Sequence, residues 1–188
     1  MIDVVVLASG SGTLTQALID AIEAGRVGAR IVAVVSDQPD AGVLERARAH
    51  GIEAIAHPLA KGADRGQWDE ALTELVARFE PDLVASAGFM KLLGPAFLAR
   101  FEGRTINTHP ALLPSFPGMH GPRDALRAGV KVSGATVFVV DDGVDTGRIL
   151  AQGAVDVHDD DTVESLHERI KVVERRLLVD VVANWRQQ

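Results

Sequence analysis

The sequence predicts an α/β fold, one domain built on a doubly wound, mostly parallel open sheet. Three observations predict it. Short runs rich in β-branched residues, at Val4 to Ala8, Ile31 to Val35 and Leu83 to Ala87, lack the polar alternation of a strand with one wet face. Runs of that kind belong to strands covered on both sides. Helix-period segments separate them, which is the texture of βαβ units. Small residues close the first of these runs, Ser9-Gly10-Ser11-Gly12, at the rim where such sheets bind ligands.

Taken in order, the first strand gives way to a helix that carries Leu14, Ala17, Leu18, Ala21 and Ile22 on one face until Gly25. The second strand ends at Ser36-Asp37. A helix from Leu44 to Ala49 is stopped by Gly51, and a short strand runs from Ile52 to Ala56. Trp68 to Phe79 is amphipathic and ends before Pro81, which cannot continue a helix. The strand Leu83 to Ala87 then runs into Gly88-Phe89-Met90. After about residue 104 the texture changes. Thr105 to His109 reads as a short strand leading straight into Pro110, and Pro114, Pro117 and Pro122 punctuate the segment beyond it. A proline-rich loop of this kind within a compact domain is more often functional than a linker. Val132 to Val140 and Ile149 to Val157 form a hairpin or a longer return around Asp141-Asp142-Gly143. In the last helix, Asp161 and Glu164 stand at capping-box spacing, and Val163, Leu166, Ile170, Val173, Leu177, Val181 and Trp185 keep one apolar stripe. No repeat or low-complexity run divides the chain.

Composition excludes several classes of function. Lys and Arg number 19 against 26 Asp and Glu, a net charge of −7, so the surface has no general grip on nucleic acid or on an anionic membrane. Aromatic residues are 4% with no Tyr, which argues against stacking on single-stranded bases. With no Cys there are no disulfides, thiolate zinc sites or cysteine nucleophiles. No apolar run reaches membrane-spanning length, and no basic leader precedes the first strand. The cytoplasm is the expected compartment.

Three groups of residues could carry chemistry. Gly10-Ser11-Gly12-Thr13 joins a strand to a helix, where small residues let unpaired N–H groups and the helix dipole meet a phosphate. It is neither a dinucleotide G-x-G-x-x-G nor a P-loop, and a plain glycine-rich turn would look similar. Asn107 and His109 point to one face of their strand, at its carboxyl end. An amide can donate to a developing oxyanion and an imidazole can donate or exchange a proton. A buried His beside a turn-forming Asn fits the same letters. Asp145 would orient and charge His109 if the two met; the order of residues does not bring them together, and three acids with two glycines also describe a solvated loop. His50, His57, His120, His158 and His167 lack metal-ligand spacing, and no metal is expected.

These pieces resemble the glycinamide ribonucleotide formyltransferases, folate-dependent enzymes of purine biosynthesis. The resemblance covers nearly the whole chain. It rests on Val5 to Gly12, Leu44-Glu45-Arg46-Ala47, Ala87-Gly88-Phe89-Met90-Lys91-Leu92-Leu93, Asn107 to Gly118 and Asp145-Thr146-Gly147. It implies the formyltransferase fold over a single domain, 1–188, with a nucleotide-binding βαβ half at 1–103 and a folate and catalytic half with the C-terminal helix at 104–188. It implies further that Gly12, Thr13 and Leu14 hold the ribonucleotide phosphate through backbone N–H groups. Arg65, Met90, Lys91, Leu92 and Leu93 would line the folate pocket with Asn107. The catalytic group would be Asn107, His109 and Asp145, acting on 10-formyltetrahydrofolate as co-substrate. Glu174 would meet the glycinamide or ribose end of the substrate, the alternative being an ion pair with Lys171 one turn earlier.

The sequence departs from the family pattern at three places. Leu14 stands where many members have Asn, so phosphate contact there is main-chain only. Phe138 stands where a second active-site His is frequent, which leaves His109 as the essential imidazole. The chain ends at Gln188, without the longer tail of some members, a difference expected to bear on surface or assembly; a homodimer is left open. The expected reaction transfers a formyl group to the ribonucleotide's amine. Two other formyl-folate enzymes, methionyl-tRNA formyltransferase and formyltetrahydrofolate hydrolase, share the Asn-x-His centre, but they normally carry further domains that an acidic chain of 188 residues is not expected to accommodate.

Overall fold

A computed structural model describes residues 1–185. Seven strands form one sheet: β1 (Ile2–Leu7), β2 (Ala29–Ser36), β3 (Glu53–Ala56), β4 (Leu83–Ser86), β5 (Thr105–His109), β6 (Val132–Val139) and β7 (Ile149–Asp156), in the order β3-β2-β1-β4-β5-β6-β7. The five strands from β3 to β5 are parallel, and β6 and β7 return antiparallel. The helices are α1 (Thr13–Glu23), α2 (Gly42–Ala49), α3 (Arg65–Ala77), α4 (Pro95–Arg100), α5 (Gly121–Ala128) and α6 (Val163–Ala183). The chain end at Gln188 lies outside the described residues.

The absence of alternation in the early strands has a direct cause. Val4 and Val6 pack into one core with residues of α1, α2 and α6, while Val5 and Leu7 pack into another with Trp68, Leu72 and Val76 of α3 and Phe97 of α4. Both faces of the central strands are therefore apolar. The chain leaves β1 toward β2 on one side, and β4 is laid on the other. Strand order thus reverses between β1 and β4, and the carboxyl ends there open a crevice of the kind that binds ligands.

Two short helices, α4 and α5, were not legible in the sequence. Each begins with Pro in its first turn, and α4 has only six residues, too few for an apolar period to show. The α4 N-terminus is capped from a distance: the buried Asp69 carboxylate accepts the amides of Gly94 (2.7 Å), Ala96 (3.1 Å) and Phe97 (3.2 Å). The capping box of α6 is also shifted by one residue from the expected Asp161 and Glu164. Thr162 is the N-cap and Ser165 its reciprocal partner. Asp161 instead binds Arg169, Ser165 Oγ and the His158 amide, which takes its carboxylate away from the helix end. Among the described residues no helix is long and apolar enough to cross a membrane.

Candidate active site

Four chain segments meet at the carboxyl rim. Residues 9–13 follow β1, residues 37–41 follow β2, residues 87–94 follow β4, and the proline-rich segment follows β5. Since β4 separates β1 from β5, the glycine loop and the end of β5 lie about 10 Å apart in strand spacing.

At the glycine loop, Gly12 adopts a left-handed conformation (φ 77°) as the residue before α1, with no side-chain cap. A Cβ there would lie 2.6 Å from Val43 Cγ2 and 2.9 Å from Val43 Cα, so the position accepts glycine for two reasons, its φ and its close neighbour. The loop carbonyls face inward: Gly10 O accepts from Val43 N (3.1 Å) and Ser11 O accepts from Arg46 Nε (2.7 Å). No side chain caps α1, so its first-turn N–H groups are left without a side-chain partner at the positive end of the helix dipole. The Leu14 side chain packs against the core, which leaves that residue only its main chain for a ligand.

At β5, alternation sends Ile106 and Thr108 toward α6, and Thr105, Asn107 and His109 to the opposite face. His109 is 4% exposed. Its Nε2 lies 2.8 Å from the carbonyl of Phe116, which can only accept, so Nε2 carries a proton. Its Nδ1 lies 3.4 Å from Oδ2 of Asp145, and that oxygen also accepts the Gly118 amide at 2.7 Å. Asp145 reaches this place from the β6–β7 return in a left-handed conformation (φ 56°), a strained choice that Asp tolerates better than most residues. The structure thus joins Asp145 to His109 across 36 residues. Phe138, opposite Asn107 in cross-strand register, is buried at 2%.

The loop after β4 presents Met90 (63% exposed) and Leu92 (68% exposed) to solvent, two large apolar side chains that a planar apolar ligand could cover. Arg65 bonds the Leu92 carbonyl and lies over the Trp68 ring, its guanidinium carbon 4.4 Å from the centroid. Lys91 is paired while still partly exposed: its Nζ sits 3.1 Å from Oδ2 of Asp37, whose side chain is wholly buried.

Glu174 occupies a different place from the other candidates. It is buried (5% exposed) on the inner face of α6 against Thr108, between the positions of Asn107 and His109 but on the other side of the sheet. Burial pushes its carboxyl up to about 7, against the opposing pull of the Thr108 hydroxyl, Lys171 and Arg175. The alternative of an ion pair with Lys171 is not what forms, because Lys171 pairs with Glu168 at 2.7 Å. Sequence reasoning assigned no role to Phe116 and Gly118, although both fall within the stretch from Asn107 to Gly118. Backbone groups that hold a catalytic side chain leave no side-chain signal. Among the described residues no group of His, Asp and Glu could hold a metal.

An Asn, a His and an Asp gathered beside a glycine loop at the reversal point of a doubly wound sheet define an α/β group-transfer enzyme acting on small molecules. The family model for formyl transferases matches residues 2–182, and the chain belongs to that family. It is 57% identical over 179 residues to phosphoribosylglycinamide formyltransferase of Mycobacterium tuberculosis, covering 95% of this chain and 82% of the relative. The Escherichia coli protein of the same name is 37% identical over 185 residues, 97% of this chain and 86% of the relative. Among solved structures, glycinamide ribonucleotide transformylase 1 from Symbiobacterium toebii superposes with a TM-score of 0.95 at 44% identity, over 97% of this chain and 86% of that one.

Proposed function

We propose that this protein transfers the formyl group of 10-formyltetrahydrofolate to the amine of 5'-phosphoribosylglycinamide, a step of de novo purine biosynthesis leading to IMP. One observation carries the reading: His109, fixed by Asp145 on one nitrogen and by the Phe116 carbonyl on the other, beside Asn107 at the sheet's rim. The exposed Met90 and Leu92 fit the apolar ring system of a folate, and Arg65, Lys91, Leu93 and Asn107 complete that pocket in this reading. Bound there, the co-substrate supplies an electrophilic formyl carbon.

The remaining steps fall to the chain's own residues. Gly12, Thr13 and Leu14 hold the ribonucleotide phosphate by main-chain N–H groups, and Glu174 meets its glycinamide or ribose end. Asn107 donates its amide to the formyl oxygen as the substrate amine attacks and negative charge gathers there. His109 donates its Nε2 proton to the same oxygen, exchanging the Phe116 carbonyl for an acceptor that gains charge in the transition state and so binds the proton more strongly. Asp145, facing Nδ1, keeps the imidazole in register. The proton that the amine loses passes to the leaving nitrogen through His109 or a water. Each such donor contributes about 2.7–4 kcal/mol to lowering the barrier, and side-by-side binding of the substrates supplies further acceleration by orientation.

In this reading residues 1–188 form one domain. Residues 1–103 carry the phosphate loop, residues 104–188 the catalytic group and C-terminal helix, and the folate loop lies near their junction. The cytoplasm is the proposed compartment, with small-molecule substrates rather than nucleic acid or membrane as partners; homodimer formation is a matter for sedimentation. The decisive assay mixes purified protein with both substrates and follows tetrahydrofolate by absorbance. Product that appears only when the ribonucleotide is added supports transfer. Formate released without it would replace transfer by hydrolysis.

A further inference from the structure

We propose that Asp37 is a positioning residue for the folate loop, fastening residues 88–91 to the end of β1 through Ser9 and Lys91. The proposal rests on the folate reading of that loop.

Asp37 follows β2 directly, and its side chain has no exposed surface. One carboxylate oxygen accepts the Ser9 hydroxyl proton; the other faces Gln38 Nε2 at 3.0 Å and Lys91 Nζ at 3.1 Å. Ser9 Oγ in turn accepts the Met90 amide at 2.8 Å, and the Ser9 amide donates to Gly88 O at 3.0 Å. A hydroxyl has one proton, and a carboxylate can only accept. The order is therefore fixed: Met90 N–H to Ser9 O–H to Asp37, with the Lys91 charge closing the ring from the loop side. Burial opposes the charged carboxylate, but Ser9, Gln38 and Lys91 together hold it below the usual range.

This clamp answers a question that the exposed apolar residues raise. A loop that leaves Met90 and Leu92 in water gains little order from burying them. Its near end is held by Asp37 and its far end by a second buried carboxylate, Asp69, on the Gly94 amide. Lys91 then serves the pocket by neutralising Asp37. The glycine loop beyond Ser9 has separate fastenings, from Val43 N to Gly10 O, from Arg46 to Ser11 O and from Gln16 N to Gly12 O. Loss of Asp37 should accordingly strike one substrate and spare the other.

The test is steady-state kinetics of the full chain with each substrate varied in turn, for Asp37→Asn, Ser9→Ala and the double variant. Each single change should raise the KM for 10-formyltetrahydrofolate by about tenfold or more, the weight of one charge-assisted bond. The ribonucleotide KM should stay within about twofold, and the double variant should be little worse than either single one, because Asp37 acts on the Met90 amide through Ser9 and the two form one chain of hydrogen bonds. A folate KM unchanged in either soluble variant, both KM values rising together, or additive effects would overturn the proposal. Should Asp37→Asn fail to fold, the folate KM of Ser9→Ala decides. A wild-type protein without formyl transfer sinks the functional reading instead, whereas an active wild type with indifferent variants sinks only the role of Asp37.

Discussion

Oδ2 of Asp145 stands 3.4 Å from Nδ1 of His109 while accepting the Gly118 amide at 2.7 Å, so the carboxylate is held from two sides against the imidazole. It cannot turn away without abandoning an amide. Asp145→Asn keeps the shape but removes the negative charge beside Nδ1. We expect it to lose about a hundredfold to a thousandfold in kcat with the ribonucleotide KM little changed. His109→Asn should lose as much, and the double variant no more than either, because residues acting as a unit are not additive. Near-normal turnover in either purified single variant would remove both from the catalytic group.

Asn107 lies two residues before His109 on the same face of β5, about 7 Å away along the strand. Asn107→Ala should cost about 2.7–4 kcal/mol of barrier with little change in melting temperature, since the residue is only half-buried. Calorimetric unfolding beside kcat separates the two effects. A large fall in melting temperature with kcat retained would make Asn107 structural.

Gly12 leaves no room for a methyl group. Gly12→Ala places a Cβ 2.6 Å from Val43 Cγ2 and 2.9 Å from Val43 Cα at φ 77°. The left-handed backbone alone costs about 1–3 kcal/mol for a residue other than glycine. We expect lower stability and a raised ribonucleotide KM with the folate KM spared. Because backbone is part of the obstacle, adding Val43→Ala should not restore the KM. Restoration by that change would show that only the side chain matters.

Glu174 gives a stability prediction whose sign is set by its raised carboxyl. The folded group titrates at about 7, against 4.5 for an ordinary glutamate. Below that ordinary value both folded and unfolded chains hold the proton; between the two values only the folded chain does. Stability contributed by this group therefore falls as pH rises through the window, by about 3 kcal/mol in all, and levels off above it. Glu174→Gln should flatten that slope and be the more stable protein in urea at pH 8, while binding the ribonucleotide less well. Parallel pH profiles for the two proteins would contradict the burial argument, and an unchanged ribonucleotide KM would contradict the substrate role.

The strands and long helices were legible because their signal is local. Runs such as Val4 to Ala8 report burial on both faces, and the α6 stripe from Leu166 to Val182 repeats with the helix period. Helix α4 escaped because six residues are too few for a period to show, and it is capped by Asp69 some 25 residues earlier; α5 escaped because Pro122 in its first turn reads as the end of the proline-rich loop. The α6 cap moved by one residue because Arg169 claims Asp161, a competition between side chains that spacing does not show.

The site divides in the same way. The sequence by itself determined which residue types stand at strand ends: a glycine loop after the first strand, an Asn and a His on one face of another, an acid in a glycine-bounded return. Only the tertiary structure decided that Asp145 meets His109, that the Phe116 carbonyl holds the ring's other proton, that Glu174 lies behind Thr108, and that Lys91 turns inward to Asp37. The reason is physical. Side-chain periodicity is fixed by backbone geometry over a few residues, whereas the meeting of distant groups depends on strand order, and strand order is settled by how all the apolar faces are covered at once.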